Sequence, residues 1–428
     1  MKRIGLFLLI GAIALPASAL ASALASARLY AQQLVDKTVA KHPELLVLAM
    51  HVTPPDSADN VIIASNIGRI GKKADDDDMS VVKSGKPRLS LNKTGDHFEA
   101  LLPFRDANGR QIGALGEVFA YKAGDDKAAL QRKAEAIRDE LAKRISHVKN
   151  LLEPAQFDAA IPVDSYGQAL VDQTLAANPD VVILALHATP PKGGDDEIVA
   201  SNIGRIGKKA DSDDMDVVNT GTPKLELNED GDRFEVEERL LDVSGDTLGA
   251  VGVVFPYKAG DDKEARHKQA DRIAASLRRR ITNAGNLVEP FPYDTKYSSD
   301  IYCQKLVDAT MAAHPDLLIL AVHAAPPGTS DYVIAGSSIG RIGKKADEDD
   351  LGVVNTGKPL TEVNSTGKRM EVEMQFHDAS GKIIGAVSTV FAYKAGDDKE
   401  AMRKRGEQIR AEMEKKIPSA GSLFQPAA

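Results

Sequence analysis

The sequence predicts an α+β protein made of three tandem copies of one mixed domain, each with a central antiparallel sheet flanked by N- and C-terminal helices. The first observation is an internal repeat, because histidines at 51, 187 and 323 and tyrosines at 121, 257 and 393 recur every 136 residues. The second is that no copy has an insertion or deletion from Tyr30 onward. This interval exceeds that of solenoid repeats, so each copy is expected to have its own core.

Each copy opens with a predicted helix that begins at a tyrosine and stops before a proline, as in 30–42. The apolar run 45–50 is short and bounded by prolines, which predicts a buried strand. Pro54 and Pro55 then turn the chain into a second strand at 61–65.

The second half of each copy predicts a hairpin, a further strand and a closing helix. A polar loop with a short helix at 77–82 leads to strands at 88–91 and 98–104 across a glycine-bearing turn, then to a strand at 112–121. The closing helix opens at 124–127, and its apolar positions recur at helical spacing, at Leu130, Ala134, Ile137, Leu141 and Ile145.

Residues 1–23 predict a secretory signal peptide. Lys2 and Arg3 supply a charged start, 4–15 are apolar, and small residues after Pro16 allow cleavage after Ala19, Ala21 or Ala23. The apolar stretch is too short for a comfortable membrane span. We therefore expect a periplasmic or secreted protein with no membrane span after cleavage, and domains at 24–154, 155–290 and 291–428.

The charge balance argues against one class of function, and the cysteine content limits how the fold can be stabilised. Cleavage would remove two positive charges and take the net charge from −8 to −10, with acidic and basic residues intermixed. This argues against nucleic-acid binding, which needs a basic face. Cys303 is the single cysteine, so the fold must stand without internal disulfides.

The order of these elements resembles the PAS-like extracytoplasmic sensor domain of the single Cache (PDC) type. The resemblance is carried by 61–66, Ile70-Gly71-Lys72, Gly85-Lys86-Pro87 and the segment from Asp106 to Ala114, and it covers most of each copy. It implies a small-molecule pocket between the sheet and the loops after the second strand, and a signal-transducing output module. No transmembrane, kinase, cyclase or methyl-accepting segment follows the domains here, which leaves ligand binding as the expected role.

The loop Ile-Gly-Arg-Ile-Gly-Lys-Lys provides the first candidate ligand contacts. They are Arg69, Arg205, Arg341, Lys72, Lys208 and Lys344. Glycines let backbone amides converge there, and a guanidinium can bind a carboxylate or phosphate with two hydrogen bonds. Alternatively, the glycines serve the turn and the basic side chains pair with the acidic run beside them. The glycine spacing does not fit a nucleotide phosphate loop.

Histidines, tyrosines and an acidic run complete the candidates. The histidines His51, His187 and His323 end the first strand, and the tyrosines Tyr30, Tyr166 and Tyr302 lie on the first helix. Either set could contact a ligand or serve packing alone. The run 75–78 and its counterparts offer oxygen ligands for a divalent cation, but aspartates also begin helices.

The sequence favours binding over catalysis, because no serine or cysteine accompanies a plausible base in a nucleophile motif. We expect no enzyme activity and no cofactor. The expected partner is a small, anionic molecule, with an envelope or membrane-bound signalling protein as a further partner. The alternatives are a non-catalytic structural or interaction protein of the cell envelope and a divalent-cation-binding module.

Overall fold

The computed structural model describes residues 28–427, so the predicted signal peptide lies outside the described residues. The chain divides into two compact units, Met1–Phe157 with Ile203–Arg205 and Asp158–Asn202 with Ile206–Ala428. Within residues 28–427, no helix is both long and apolar enough to cross a membrane. The domain boundaries after 154 and 290 stay a prediction.

The three copies have the same order of elements. The first contains α1 (Tyr30–Lys41), β1 (Leu45–Val52), β2 (Val61–Ser65), α2 (Asp76–Ser84), β3 (Arg88–Leu91), β4 (His97–Arg105), β5 (Gln111–Ala120), α3 (Lys127–Ala142) and α4 (Val148–Leu151). The second contains α5 (Tyr166–Ala177), β6 (Ile183–Ala188), β7 (Glu197–Ser201), α6 (Ser212–Thr220), β8 (Lys224–Leu227), β9 (Arg233–Leu241), β10 (Thr247–Pro256), α7 (Lys263–Arg278) and α8 (Ala284–Leu287). The third contains α9 (Tyr302–Ala313), β11 (Leu317–Ala324), β12 (Val333–Ser337), α10 (Glu348–Thr356), β13 (Leu360–Val363), β14 (Arg369–His377), β15 (Ile383–Ala392), α11 (Lys399–Glu414) and a 3₁₀ helix (Ala420–Phe424).

Each copy forms a five-stranded antiparallel sheet, which confirms the predicted α+β fold class. The strand order is β2-β1-β5-β4-β3, and the same order recurs in the sheets of the second and third copies. This arrangement, with helices beside each sheet, is compatible with three tandem PAS-like domains.

A glycine on the fifth strand of each copy lets that strand approach the first strand closely. A Cβ atom added to Gly113, Gly249 or Gly385 would lie 1.9, 2.0 or 1.8 Å from the carbonyl oxygen of the histidine at 51, 187 or 323. No side chain fits at that separation. The glycine of the Ile-Gly-Ala segment is therefore required by strand pairing.

One face of each sheet packs against the first and closing helices to form the core. In the first copy, Leu48 and Met50 of β1 and Leu102 of β4 share this core with Ile137 and Leu141 of α3. Side chains alternate across a strand, so intervening residues point to the opposite face. That second face lies under α2 and the loop that precedes it.

Glu117 is an exception on the core face of β5. It is 1% exposed, and neither carboxylate oxygen has a hydrogen-bond partner among residues 28–427. Burial raises the pKa of Glu117 well above its ordinary value, and the Arg138 charge opposes this only in part. Val253 and Thr389 take its place in the other copies, so the fold does not need the carboxylate.

Candidate functional site

A cavity lies on the second face of the first sheet, beneath α2 and its preceding loop. Its volume is 240 Å³. The strands contribute Val47, Ala49, His51, Glu99, Gly116 and Val118, and the loop and helix contribute Arg69, Lys72, Asp75 and Asp78. The cavity is thus bounded by apolar and charged groups of both signs.

The third copy has a cavity of 370 Å³ at the same place. Its lining includes the corresponding His323, Arg341, Lys344, Asp347 and Asp350, and the end of the second copy adds Thr282 and Asn283. Both cavities occupy the position that the resemblance implies for a small-molecule pocket.

The loop beside each cavity holds its arginine in a left-handed backbone conformation. Arg69, Arg205 and Arg341 all have φ of 65°, which costs a residue with a side chain about 1–2 kcal/mol. Local hydrogen bonds maintain the turn, since the Lys72 N–H donates to the Arg69 carbonyl and the Gly71 N–H to the Ile62 carbonyl. Strain retained in all three copies indicates a role for the arginine side chain.

In the third copy that role is visible. The Arg341 guanidinium donates from Nε and Nη2 to the two carboxylate oxygens of Glu289, at 2.9 and 3.1 Å. Beside this pair, Asn286 Nδ2 donates to the Ile339 carbonyl at 3.1 Å. The arginine does bind a carboxylate with two hydrogen bonds, but that carboxylate belongs to the end of the second copy.

The same contact occurs within the unit that contains Ile203–Arg205. Arg205 donates to both oxygens of Glu153 at 2.9 and 3.0 Å, and Asn150 Nδ2 donates to the Ile203 carbonyl at 3.0 Å. Arg69, by contrast, is exposed, and its side chain has no ion-pair partner among residues 28–427. Its proposed contact with a ligand stays a prediction.

The lysine three residues later is exposed in every copy. Lys72 and Lys344 line the two cavities. Lys72, Lys208 and Lys344 form no ion pair with any residue of 28–427, whereas the adjacent Lys73 binds Asp59 at 2.7 Å. Each cavity therefore has an unpaired ammonium group beside it.

The predicted histidines lie against the helix that covers the cavity. Nδ1 of His51, His187 and His323 is 3.4, 3.3 and 3.2 Å from a carboxylate oxygen of Asp78, Asp214 and Asp350. None of these contacts has hydrogen-bond geometry, since all three Nδ1 atoms lack a hydrogen-bond partner within the described range 28–427. Burial lowers the pKa of each histidine, and the neighbouring aspartate opposes the effect.

The acidic run begins the covering helix in each copy. Asp75 accepts hydrogen bonds from the backbone N–H groups of Asp77 and Asp78, and Asp78 accepts from that of Asp75. The second and third copies have the same capping box. The carboxylates at the first and fourth positions of the run are therefore engaged in capping the helix.

The predicted tyrosines lie on the core side of the fold. The hydroxyls of Tyr30, Tyr166 and Tyr302 donate to the carbonyls of Arg144, Arg280 and Lys416. None of the three lines the 240 Å³ or the 370 Å³ cavity. Burial raises the pKa of Tyr166 to about 12, consistent with a phenol enclosed by the core.

A glutamate on the fourth strand, half-buried in the second copy and buried in the third, distinguishes these two copies from the first. Burial and the nearby Asp214 raise the pKa of Glu237 to about 8. Burial and Asp350 raise the pKa of Glu373 to about 10. The first copy has Leu101 at this position.

Sequence reasoning missed both this glutamate and the residues that bind the arginines. Glu237 and Glu373 escaped attention because the first copy lacks them. Glu153 and Glu289 have Gln425 as their counterpart, and Asn150 and Asn286 have Ser422. A polar pair lost only from the last copy is the signal of a contact with the copy that follows.

No protein-family model and no curated protein matches this chain. Solved structures that align with it include the Agobacterium tumefaciens repressor BlcR, at 11% identity and a TM-score of 0.21, covering 28% of this chain and 69% of that chain. PelD from Pseudomonas aeruginosa PAO1 aligns at 16% identity and a TM-score of 0.22, covering 61% and 84%. An RNA-binding light-oxygen-voltage receptor aligns at 12% identity and a TM-score of 0.14, covering 54% and 100%. None of these alignments bears on a ligand or an activity of this chain.

Proposed function

We propose that this chain is an exported binding or sensory-type protein, periplasmic or secreted, whose PAS-like domains are of the single Cache type and bind a small carboxylate. The observation that carries the proposal is the cavity found at the same place in the first and third copies, each with an unpaired lysine beside it. An unpaired ammonium group at a partly apolar cavity suits an anionic ligand. The output would pass to an envelope or membrane-bound signalling protein.

The charge distribution supports the orientation of such a ligand. In the first copy, Asp75 and Asp78 are engaged in helix capping, which leaves Arg69 and Lys72 as the free cations of the lining. We place the carboxylate of the ligand at these two side chains. Its apolar part would lie on Val47, Ala49 and the other strand residues.

Thermal melting of the mature chain against small mono- and dicarboxylates, amino acids and phosphate tests the proposal. A ligand present at about one hundred times its dissociation constant stabilises the bound protein by about 2.7 kcal/mol, which raises the melting temperature of a domain of this size by several degrees. A panel without any shift would contradict the proposal.

Calorimetric titration of a hit then locates the site. The double substitution Lys72→Ala and Lys344→Ala is expected to weaken binding about tenfold, or about 1.4 kcal/mol. Lys73→Ala is the matched control, because Lys73 is paired with Asp59 and does not line the cavity. Equal affinities of the double variant and the wild type for the ligand would show that the ligand does not bind beside Lys72 and Lys344.

A second candidate function, an interaction protein of the envelope, is favoured by the surface of Ile67, Gly68 and Arg69. Ile67 is 45% exposed, whereas its counterparts Ile203 and Ile339 are each 4% exposed. In those copies an Asn-x-x-Glu turn covers the loop. The occupant that fits this surface is a turn with the same asparagine and glutamate, provided by another protein.

A peptide with the sequence of 144–157 is the probe for this surface. Fluorescence anisotropy is expected to show binding that Arg69→Ala abolishes and Arg341→Ala leaves intact, because Arg341 already binds Glu289. A peptide with Glu153→Gln is expected to bind weakly. Binding that does not depend on Arg69 would rule the surface out.

A further inference from the structure

Three buried side chains from separate elements meet beside the cavity of the third copy. His323 on β11, Asp350 on α10 and Glu373 on β14 are 6, 8 and 4% exposed. One ligand atom from each lies within 4.8 Å of the other two. Nδ1 of His323 is 3.2 Å from Asp350 Oδ1 and 4.0 Å from Glu373 Oε1.

Two of the facing atoms of this cluster have no hydrogen bond of normal geometry within residues 28–427. His323 Nδ1 and Glu373 Oε1 form no hydrogen bond, and no lysine or arginine of residues 28–427 forms an ion pair with Asp350 or Glu373. Asp350 Oδ2 accepts the Asp347 N–H at 2.8 Å, which leaves Oδ1 for the cluster. Buried polar atoms are nearly always satisfied, and two adjacent carboxylates need a proton or a cation between them.

We propose that His323, Asp350 and Glu373 bind a divalent transition-metal ion. One imidazole nitrogen and two carboxylate oxygens suit Zn²⁺, Mn²⁺, Fe²⁺ or Co²⁺, whereas Ca²⁺ and Mg²⁺ favour all-oxygen sites. Three protein ligands leave further coordination positions free, and two of the three, His323 and Asp350, line the 370 Å³ cavity. The site does not depend on the proposed binding of a carboxylate.

The ligand set differs from the acidic run that suggested a cation at the level of sequence. Of that run only Asp350 takes part, and its partners come from two strands. The first copy has the equivalent His51 and Asp78 but Leu101 in place of the glutamate. The second copy has all three residue types, but the ligand atoms of His187, Asp214 and Glu237 do not all lie within 4.8 Å of one another. The chain thus contains a matched pair of positions with and without the third ligand.

The experiment is equilibrium dialysis of the full mature chain, stripped with a chelator, against Co²⁺. Excess Mg²⁺ in the buffer occupies weak exposed carboxylates. The wild type is expected to retain one equivalent of Co²⁺ with the visible absorption of a bound ion. Glu373→Leu, which installs the residue of the first copy, and His323→Ala are expected to retain none, and Glu237→Leu in the second copy is expected to leave the retained Co²⁺ unchanged.

A second cluster provides the control. Glu238, His267 and Asp271 also meet the distance criterion, but the Asp271 side chain is 55% exposed, and His267→Ala is expected to leave the retained Co²⁺ unchanged. Unaltered melting of Glu373→Leu without metal establishes that the variant is folded. The proposal is overturned if the wild type retains no Co²⁺, or if Glu373→Leu retains as much as the wild type.

Discussion

Replacing the strained arginine by glycine is expected to have opposite effects in the first and third copies. Glycine adopts a φ of 65° without strain, which removes a cost of about 1–2 kcal/mol. It adds an entropic cost of about 0.5–1 kcal/mol in the unfolded chain. Arg69→Gly should therefore stabilise the protein by between about 0 and about 1.5 kcal/mol, because Arg69 has no ion-pair partner among residues 28–427.

Arg341→Gly has the same backbone benefit but removes two hydrogen bonds to Glu289. The two side chains are 25 and 21% exposed, so the ion pair is less accessible to solvent than a surface salt bridge. We assign it a contribution of about 1–3 kcal/mol to the free energy of unfolding. The variant should be less stable than Arg69→Gly by this amount. The comparison isolates the ion pair because the backbone term cancels.

Differential scanning calorimetry of the mature chain measures both variants, and hydrogen exchange of peptides around 341 assigns the transition. The double variant with Glu289→Gln completes a thermodynamic cycle. Similar destabilisation by Arg69→Gly and Arg341→Gly would refute the reasoning, since it would mean that Arg69 has a stabilising contact of its own.

Four further predictions concern two strand residues, a glycine on a helix and the buried thiol. Glu117→Val should stabilise the protein by about 1–3 kcal/mol, because it removes an unsatisfied buried carboxyl group. Since the pKa of Glu117 is raised in the folded state, the free energy of unfolding of the wild type falls as the pH rises above the ordinary pKa of 4.5. The stability gain of the variant, measured by urea unfolding, should therefore increase with pH above that value, and a gain independent of pH would contradict the prediction. Gly385→Ala should cost about 3 kcal/mol or more in urea unfolding, because its Cβ would lie 1.8 Å from the His323 carbonyl oxygen. Gly352→Ala, in open space on a helix, should instead stabilise by about 0.5–1 kcal/mol. Cys303 should not react with a thiol reagent in the native state, since burial raises its pKa; reaction at the rate of an exposed thiol would contradict its position.

Much of the fold could be predicted because its information is local or periodic. The 136-residue interval requires one fold for three copies. Turn glycines and alternating apolar residues place the strands, and the helical spacing of Ala134, Ile137 and Leu141 puts these residues in the core, where they are buried. The capping role of the acidic run also followed from local chemistry, and it is present in all three copies.

The partners of the site residues could not be predicted in this way. Arg341 and Glu289 are 52 residues apart, and nothing in the spacing of either indicates the other. His323 and Glu373 lie on strands that are separated in the sheet by β15. Such residues come together only when the complete five-stranded sheet has formed.

The sequence by itself therefore determined the repeat, the class of fold and the loop that carries the basic residues. Tertiary structure alone decided that two of the three arginines bind protein carboxylates and that a histidine, an aspartate and a glutamate meet beside one cavity. The physical reason is that secondary structure follows from the properties of nearby residues, whereas a binding site depends on side chains that become neighbours only when strands pair and helices pack.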